Sequence, residues 1–363
     1  MKQFLTHLLR LDWIIVASSL LLAGTGLMSL RSIALARGDL LNFQKQAIFL
    51  GMGVVIMFGL SFFDWRVFRG NPYLILALYF LCLLGLAGLF FFAQEIRGVK
   101  TWYRIAGISL DPVEPMKFVL IILLAKYFSM RHVEMYRVQH IVLSGFYISL
   151  PAVLMFLQPN MGPVLIITAI WIGILLVSGI KLRHFFLLCL LGILLFAFGW
   201  QALLKDYQKE RIISFIAPQT EPLGAGWSQT QARIAIGSGG LFGQGFGRGS
   251  QTQYGFLPEP HNDFIFSAIA EETGLIGAGF VLLLFCVLLW RILKIAKETD
   301  TNFSRLLSFG IATHFACEVF VNVGMNLGML PIIGIPLPFV SYGGSALVAG
   351  FAYLGILQSI KAG

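Results

Sequence analysis

The sequence predicts an all-α integral membrane protein with about ten transmembrane helices and one long extracytoplasmic loop before the eighth helix. Two observations carry the prediction. Charged residues make up only 12% of the chain and hydrophobic ones 58%, against about 25% charged in an ordinary soluble domain; the apolar excess has to face lipid. The apolar residues also fall in runs close to the ~20 residues that cross a bilayer core.

The first run, 13–30, follows Lys2 and Arg10 and precedes Ala34-Leu35-Ala36. Those flanks suit a signal peptide, but the run is too long for a signal core and more apolar runs follow, so a first span is expected. Nine more are expected at 44–63, 72–93, 113–130, 140–158, 161–179, 183–203, 264–293, 305–329 and 338–360. Ten spans put both termini on one side. The short connections with Arg66 and Arg69, Lys181 and Arg183, and Arg291, Lys294 and Lys297 mark that side as cytoplasmic. Residues 1–363 then form a single polytopic domain, multi-pass in a bacterial cytoplasmic membrane. Residues 204–262 form its extracytoplasmic loop, without an obvious strand or helix pattern; loops of that length are usually functional.

The net charge of +9 comes without a basic low-complexity run or a nucleotide motif, which argues against nucleic acid and favours an anionic or phosphorylated lipid. Cys82, Cys189, Cys286 and Cys317 lie in apolar runs without CxxC spacing and are expected to be small buried hydrophobes.

The decisive stretch is Gln251–Glu272, QTQYGFLPEPHNDFIFSAIAEE, where a polar loop enters an apolar helix. An ionisable group at membrane depth is by default a functional hypothesis, and Asp263 is that group; Asn262 and Asp263 also suit helix N-capping. Upstream, Gly237–Gly249 holds seven glycines in thirteen positions between Arg233 and Arg248. It could cradle a phosphate with bare amides, let chain and ligand approach closely, or be a flexible loop. Glu114 and Lys117, three apart, can meet on one helix face, as a substrate contact or as a neutralised pair. Gln158-Pro159-Asn160 makes a tight turn. Pro336–Ser345, PLPFVSYGGS, brings Ser341 and Tyr342 to a kinked helix entry.

The runs IAIGSGGLFGQGFGRGSQTQYGFLPEPHNDFIFSAIAEE and GIPLPFVSYGGS resemble the SEDS family of bacterial cell-wall polymerases, its RodA branch more than its FtsW branch. The resemblance covers most of the chain. It implies a peptidoglycan glycosyltransferase for elongation and rod shape, polymerising lipid II, a disaccharide-pentapeptide on undecaprenyl diphosphate, into β-1,4 glycan strands at the outer leaflet. The family's essential aspartate falls on Asp263, as general base, and its fourth-span pair on Glu114 and Lys117. For the rest of the substrate the expected contacts are Lys100, Arg211, Arg233, Arg248, His261, Ser341 and Tyr342. The implied partner is a class B penicillin-binding transpeptidase. A divalent cation, magnesium or manganese, at the diphosphate is left open, with no ligand named. Asn160 stands where the family carries an aspartate, Thr101-Trp102 where it carries Arg-Trp, and Asn262 where it carries threonine. A lipid-linked oligosaccharide transporter and a non-catalytic cell-wall scaffold are the rival expectations.

Overall fold

The computed structural model describes residues 2–93, 101–105, 108–130, 138–202, 204–217 and 224–363. Helix α1 (Lys2–Arg10) stops before Asp12, which caps α2 (Trp13–Arg37): its Oδ1 accepts from the amides of Ile14 at 3.1 Å and Ile15 at 3.3 Å. Next come α3 (Leu41–Ser61), the short α4 (Arg66–Gly70) and α5 (Pro72–Phe92), whose proline sits where a helix tolerates it, at the first turn. An antiparallel pair, β1 (Tyr103–Ile105) and β2 (Ile108–Leu110), sets Tyr103 opposite Leu110. Then follow α6 (Val113–Ser129), α7 (Val138–Leu157), α8 (Met161–Val177) and α9 (Leu182–Ala202). After α10 (Asp206–Ile216), α11 (Ala225–Gly239) and α12 (Ser250–Gln253), the chain ends with α13 (Ile265–Glu298), α14 (Asn302–Leu327) and α15 (Gly344–Ala362).

Every expected span is a helix. Eight (α2, α3, α5, α7, α9, α13, α14 and α15) are long and apolar enough to cross a membrane. The other two, α6 and α8, have 17 residues each; α8 is apolar throughout, while α6 carries Glu114, Lys117 and Lys126. Four expectations change. The first span continues to Arg37. The last begins at Gly344 and not at 338, because Pro336 and Pro338 keep the preceding residues out of a helix. The 204–262 loop is not irregular: it contains α10, α11 and α12, and α11 buries Ala232 and Ala235 against Leu257 and Phe264. Its polar composition hid that helix from a search for apolar runs. Cys189 and Cys286 are exposed, and Cys82 and Cys317 only half-buried; on a membrane helix a small apolar side chain is as well placed facing outward.

One apolar core runs from α2 to α15. Helices α3 and α15 pack most closely. A Cβ on Gly355 would lie 2.7 Å from the Met57 carbonyl oxygen, and one on Gly53 2.6 Å from the Phe351 ring, the use of small residues that membrane helix packing favours. At the end of the bundle where both termini lie, Asp12 is the hub. Its amide donates to Gln358 Oε1 at 2.7 Å, its carbonyl accepts from Gln358 Nε2 at 2.9 Å, and its carboxylate takes Arg291 Nε at 2.9 Å as well as Arg291 Nη2. The Asp12 side chain is 1% exposed. Removing one partner of a buried pair strands the other charge at about 3–5 kcal/mol. Arg291→Ala is therefore expected to lower the melting temperature in detergent by roughly 5 °C or more. Adding Asp12→Asn should recover part of that loss, which a double-mutant thermal-melt series checks.

Candidate active site

Asp263 lies on the turn that leads into α13, one residue before the helix N-cap. The cap position is Phe264, without a side-chain cap bond. Three successive carbonyls of this turn are held. The His261 carbonyl accepts from the Tyr342 amide at 2.8 Å, and the Asn262 carbonyl from Ser341 Oγ at 2.7 Å. The Asp263 carbonyl accepts from Asn322 Nδ2 at 3.1 Å and Asn326 Nδ2 at 2.9 Å. The two asparagines project from α14 and are fully buried. Asn322 also donates to the Ile335 carbonyl at 2.8 Å, and Asn326 Oδ1 accepts from Ser267 Oγ at 2.6 Å.

Backbone contacts leave the Asp263 carboxyl to be placed by its surroundings. It lies beside Gly334, where a Cβ would stand 3.5 Å from Oδ2, and Gly334 has a φ of 81°. Glu259, at φ 41° between Pro258 and Pro260, shapes the turn from the other side. Its Oε2 is 3.4 Å from His261 Nε2 and 3.4 Å from Asn262 Nδ2. Ser341 and Tyr342, expected as substrate contacts, bond the Asn262 and His261 carbonyls and so seat the turn. Their own loop is tied to α3 by Gln46, whose Nε2 donates to the Ser341 carbonyl at 3.0 Å and whose Oε1 accepts from the Gly343 amide at 3.2 Å.

Glu114 and Lys117 form the expected pair at 2.9 Å, with a third member. Lys117 Nζ also bonds Glu318 Oε1 on α14 at 2.7 Å, and His314 Nε2 is 3.5 Å from the other Glu318 oxygen. All four side chains are buried, so the Lys117 ammonium is committed to two carboxylates inside the bundle. Glu318, His314, Asn322 and Asn326 were missed from the sequence. Their spacing of four within an otherwise apolar span was the available signal.

The glycine run packs against α13, which is broken at Gly274 (φ 69°, ψ −166°). Cβ atoms on Gly239 and Gly243 would collide with the carbonyls of Ala270 and Glu272. Amides that could have cradled a phosphate are used internally: Gly245 donates to the Glu272 carbonyl at 3.0 Å and Gly247 to Glu272 Oε1 at 3.2 Å. Glu271 receives the amides of Gln251 at 2.6 Å and Thr252 at 3.0 Å. The run was expected to cradle a phosphate, to let chain and ligand approach closely or to be a flexible loop; among the described contacts it packs against α13.

The expected cations lie on different segments. Arg233, exposed on α11, lays its stem over Gly328, with Cδ 2.9 Å from where a Cβ would be. Arg248 is exposed beside Gly245, and Arg211 is exposed on α10. Lys100 lies outside the described residues. Asn160 precedes α8, and Gly162, two residues on, faces Ile335 on the loop near Asp263. Among the described residues no three His, Cys, Asp or Glu side chains come together to hold a metal ion.

Comparison with known proteins decides the family. Residues 8–363 match the FtsW/RodA/SpoVE model, described as a cell cycle protein. The chain belongs to the FtsW/RodA/SpoVE family. It is 36% identical over 312 residues to the peptidoglycan glycosyltransferase MrdB of Escherichia coli K12, covering 86% of this chain and 83% of MrdB. It is 32% identical over 361 residues to stage V sporulation protein E of Bacillus subtilis, covering 96% of each. Among solved structures it is similar, at TM-score 0.83 and 30% identity over 97% of both chains, to a chain of a peptidoglycan synthase complex studied for its coordination of polymerization and crosslinking. It is also similar, at TM-score 0.72 and 29% identity over 97% of both chains, to an aspartate-to-alanine mutant of the rod shape determining protein RodA of Thermus thermophilus.

Two expectations follow for this FtsW/RodA/SpoVE chain. Gly243 has a φ of 81° and no room for a Cβ, so Gly243→Ala should cost about 2 kcal/mol or more and lower the melting temperature by roughly 3 °C or more. A phosphate cradle would instead lose substrate affinity at unchanged melting temperature. Asp111, before α6, has its carboxyl pushed up to about 7 by burial and by the Glu114 charge, against the opposing Val113 amide and Lys117 ammonium. A carboxyl raised from an unfolded value of about 3.9 stabilises the fold below that value and loses the contribution as pH rises through about 7. Between about pH 5 and pH 8 the wild-type melting temperature should fall more steeply than that of Asp111→Asn.

Proposed function

We propose that this protein is a peptidoglycan glycosyltransferase that polymerises lipid II into β-1,4 glycan strands for cell elongation, with Asp263 as general base. The observation that carries the reading is the turn at Asp263, whose carbonyls are all bonded from α14 and the 336–343 loop, so that one carboxyl is presented by a rigid frame. The name of the E. coli relative supports the activity.

In this reading the 4-hydroxyl oxygen of the acceptor sugar attacks the anomeric carbon of the donor. The new C–O bond forms on the face opposite the diphosphate, the old C–O bond breaks, and its electron pair leaves with lipid diphosphate. Asp263 takes the hydroxyl proton as the nucleophile develops charge. The departing diphosphate needs cationic groups. Arg233, Arg248 and Arg211 suit that role, since their side chains are exposed and α11, which carries Arg233, packs on Phe264 next to Asp263. No metal-ligand set is assigned among the described residues, and no step is routed through a metal cation.

Both termini are assigned to the cytoplasm and the Asp263 turn to the extracytoplasmic side, on the strength of the basic connections. The partner is a class B penicillin-binding transpeptidase, and the similarity to a chain of a complex that joins polymerization to crosslinking supports it.

A positioned general base contributes about 10²–10⁴-fold. Asp263→Ala and Asp263→Asn, purified with the partner transpeptidase and given labelled lipid II, should lose strand synthesis by at least about a hundredfold while melting near the wild-type temperature. Strands from both variants at wild-type rate would remove Asp263 as the base.

A further inference from the structure

His314, Glu318, Asn322 and Asn326 recur at every fourth position of α14, and all four are buried. Residues four apart share one helix face, and at 1.5 Å per residue the stripe runs about 18 Å. Polar groups inside a membrane helix persist where they are engaged with one another or with partners, and the two ends of this stripe are engaged differently. Asn322 and Asn326 hold the Asp263 carbonyl, at 3.1 and 2.9 Å. One turn away, Glu318 holds Lys117 of α6 at 2.7 Å, with His314 3.5 Å behind it. Between the ion cluster and the catalytic loop lies a cavity of about 10 Å³, lined by Glu114, His314, Glu318, Leu337 and Ser341 among others. The cluster therefore sits directly against the loop whose Ser341 hydroxyl bonds the Asn262 carbonyl.

We propose that Glu318 is a positioning residue for the reaction at Asp263. By bonding Lys117 it fixes the rotation and axial register of α14 against α6, and with them the two asparagines that present the Asp263 turn. The inference rests on Asp263 being the base. It also changes what Lys117 does: with its ammonium held by Glu114 and Glu318, it acts on the reaction through α14 and does not bind the diphosphate.

A purely stabilising role for Glu318 makes a different prediction. Two carboxylates face one ammonium in this cluster. An amide at 318 leaves one acid and one base and still offers Lys117 an acceptor, so Glu318→Gln carries no charge penalty for folding. It does weaken a charge-assisted bond, which is roughly twice as strong as a neutral one, at the point where α14 is registered.

The test uses the full chain with its partner transpeptidase and reads lipid II polymerisation, melting temperature and backbone hydrogen exchange. For Glu318→Gln, kcat is expected to fall about tenfold, equivalent to about 1.4 kcal/mol. KM for lipid II should stay within about twofold, and the melting temperature should move by less than about 2 °C. Exchange should quicken in 261–264 and 336–342 and nowhere else. Glu318→Asp, which keeps the charge, should restore part of kcat. Unchanged kcat and exchange would overturn the proposal. So would a fall in melting temperature with faster exchange throughout the bundle, which marks a structural residue, or a raised KM at unchanged kcat, which marks a substrate contact. If the wild type makes no strands, the glycosyltransferase reading fails, while the exchange comparison still decides whether Glu318 holds the Asp263 turn.

Discussion

Non-helical backbone packed within a helical bundle must find its hydrogen-bond partners inside the protein. The His261–Asp263 turn is such a segment, and its three carbonyls are answered by Tyr342, Ser341, Asn322 and Asn326. That requirement organises much else. It explains buried amides on α14, a serine whose hydroxyl points at backbone, and a proline-rich loop that stays out of helix so its amides and hydroxyl can reach sideways. It also explains why Gln46, far away in sequence, is spent bracing that loop from α3.

The same constraint appears where α13 breaks at Gly274. The Leu275 amide donates to the Gly240 carbonyl at 2.9 Å, and the Glu272 carbonyl accepts from Gly245. The glycine run is the partner that a broken helix needs, and at Gly239 and Gly243 the two backbones approach too closely to admit a side chain. Glu271 and Glu272, both buried, complete the arrangement by receiving amides and hydroxyls from α12, the glycine run and Ser32. A carboxylate bonded by several such donors tolerates burial without a cation beside it.

The ten spans were legible because lipid demands long apolar runs whatever the tertiary packing. Asp263, Ser341, Tyr342, Glu114 and Lys117 were legible because polar residues at span ends stand out. The polar stripe of α14 was not read, since averaging hydropathy over a span conceals four side chains spaced along one face. The role of the glycine run was undecidable for a different reason: what a glycine makes room for lies on another part of the chain, here residues 270–273. Helix α11 escaped notice because its fully buried apolar side chains are two alanines, Ala232 and Ala235, set among polar and glycine residues.

The pairing of α3 with α15 brings together segments about as distant in sequence as the chain allows, and the Asp12–Gln358 bonds do the same for its two ends. During synthesis the early helices enter the bilayer long before α15 exists. Until then α3 presents Gly53 and the Met57 backbone with nothing seated on them, and Asp12 lacks the amide it is built to meet. Assembly of these faces is consequently closed by α15. Cellular quality control, which inspects unsatisfied polar and small-residue faces, would see a nascent chain as incomplete until α15 has been made.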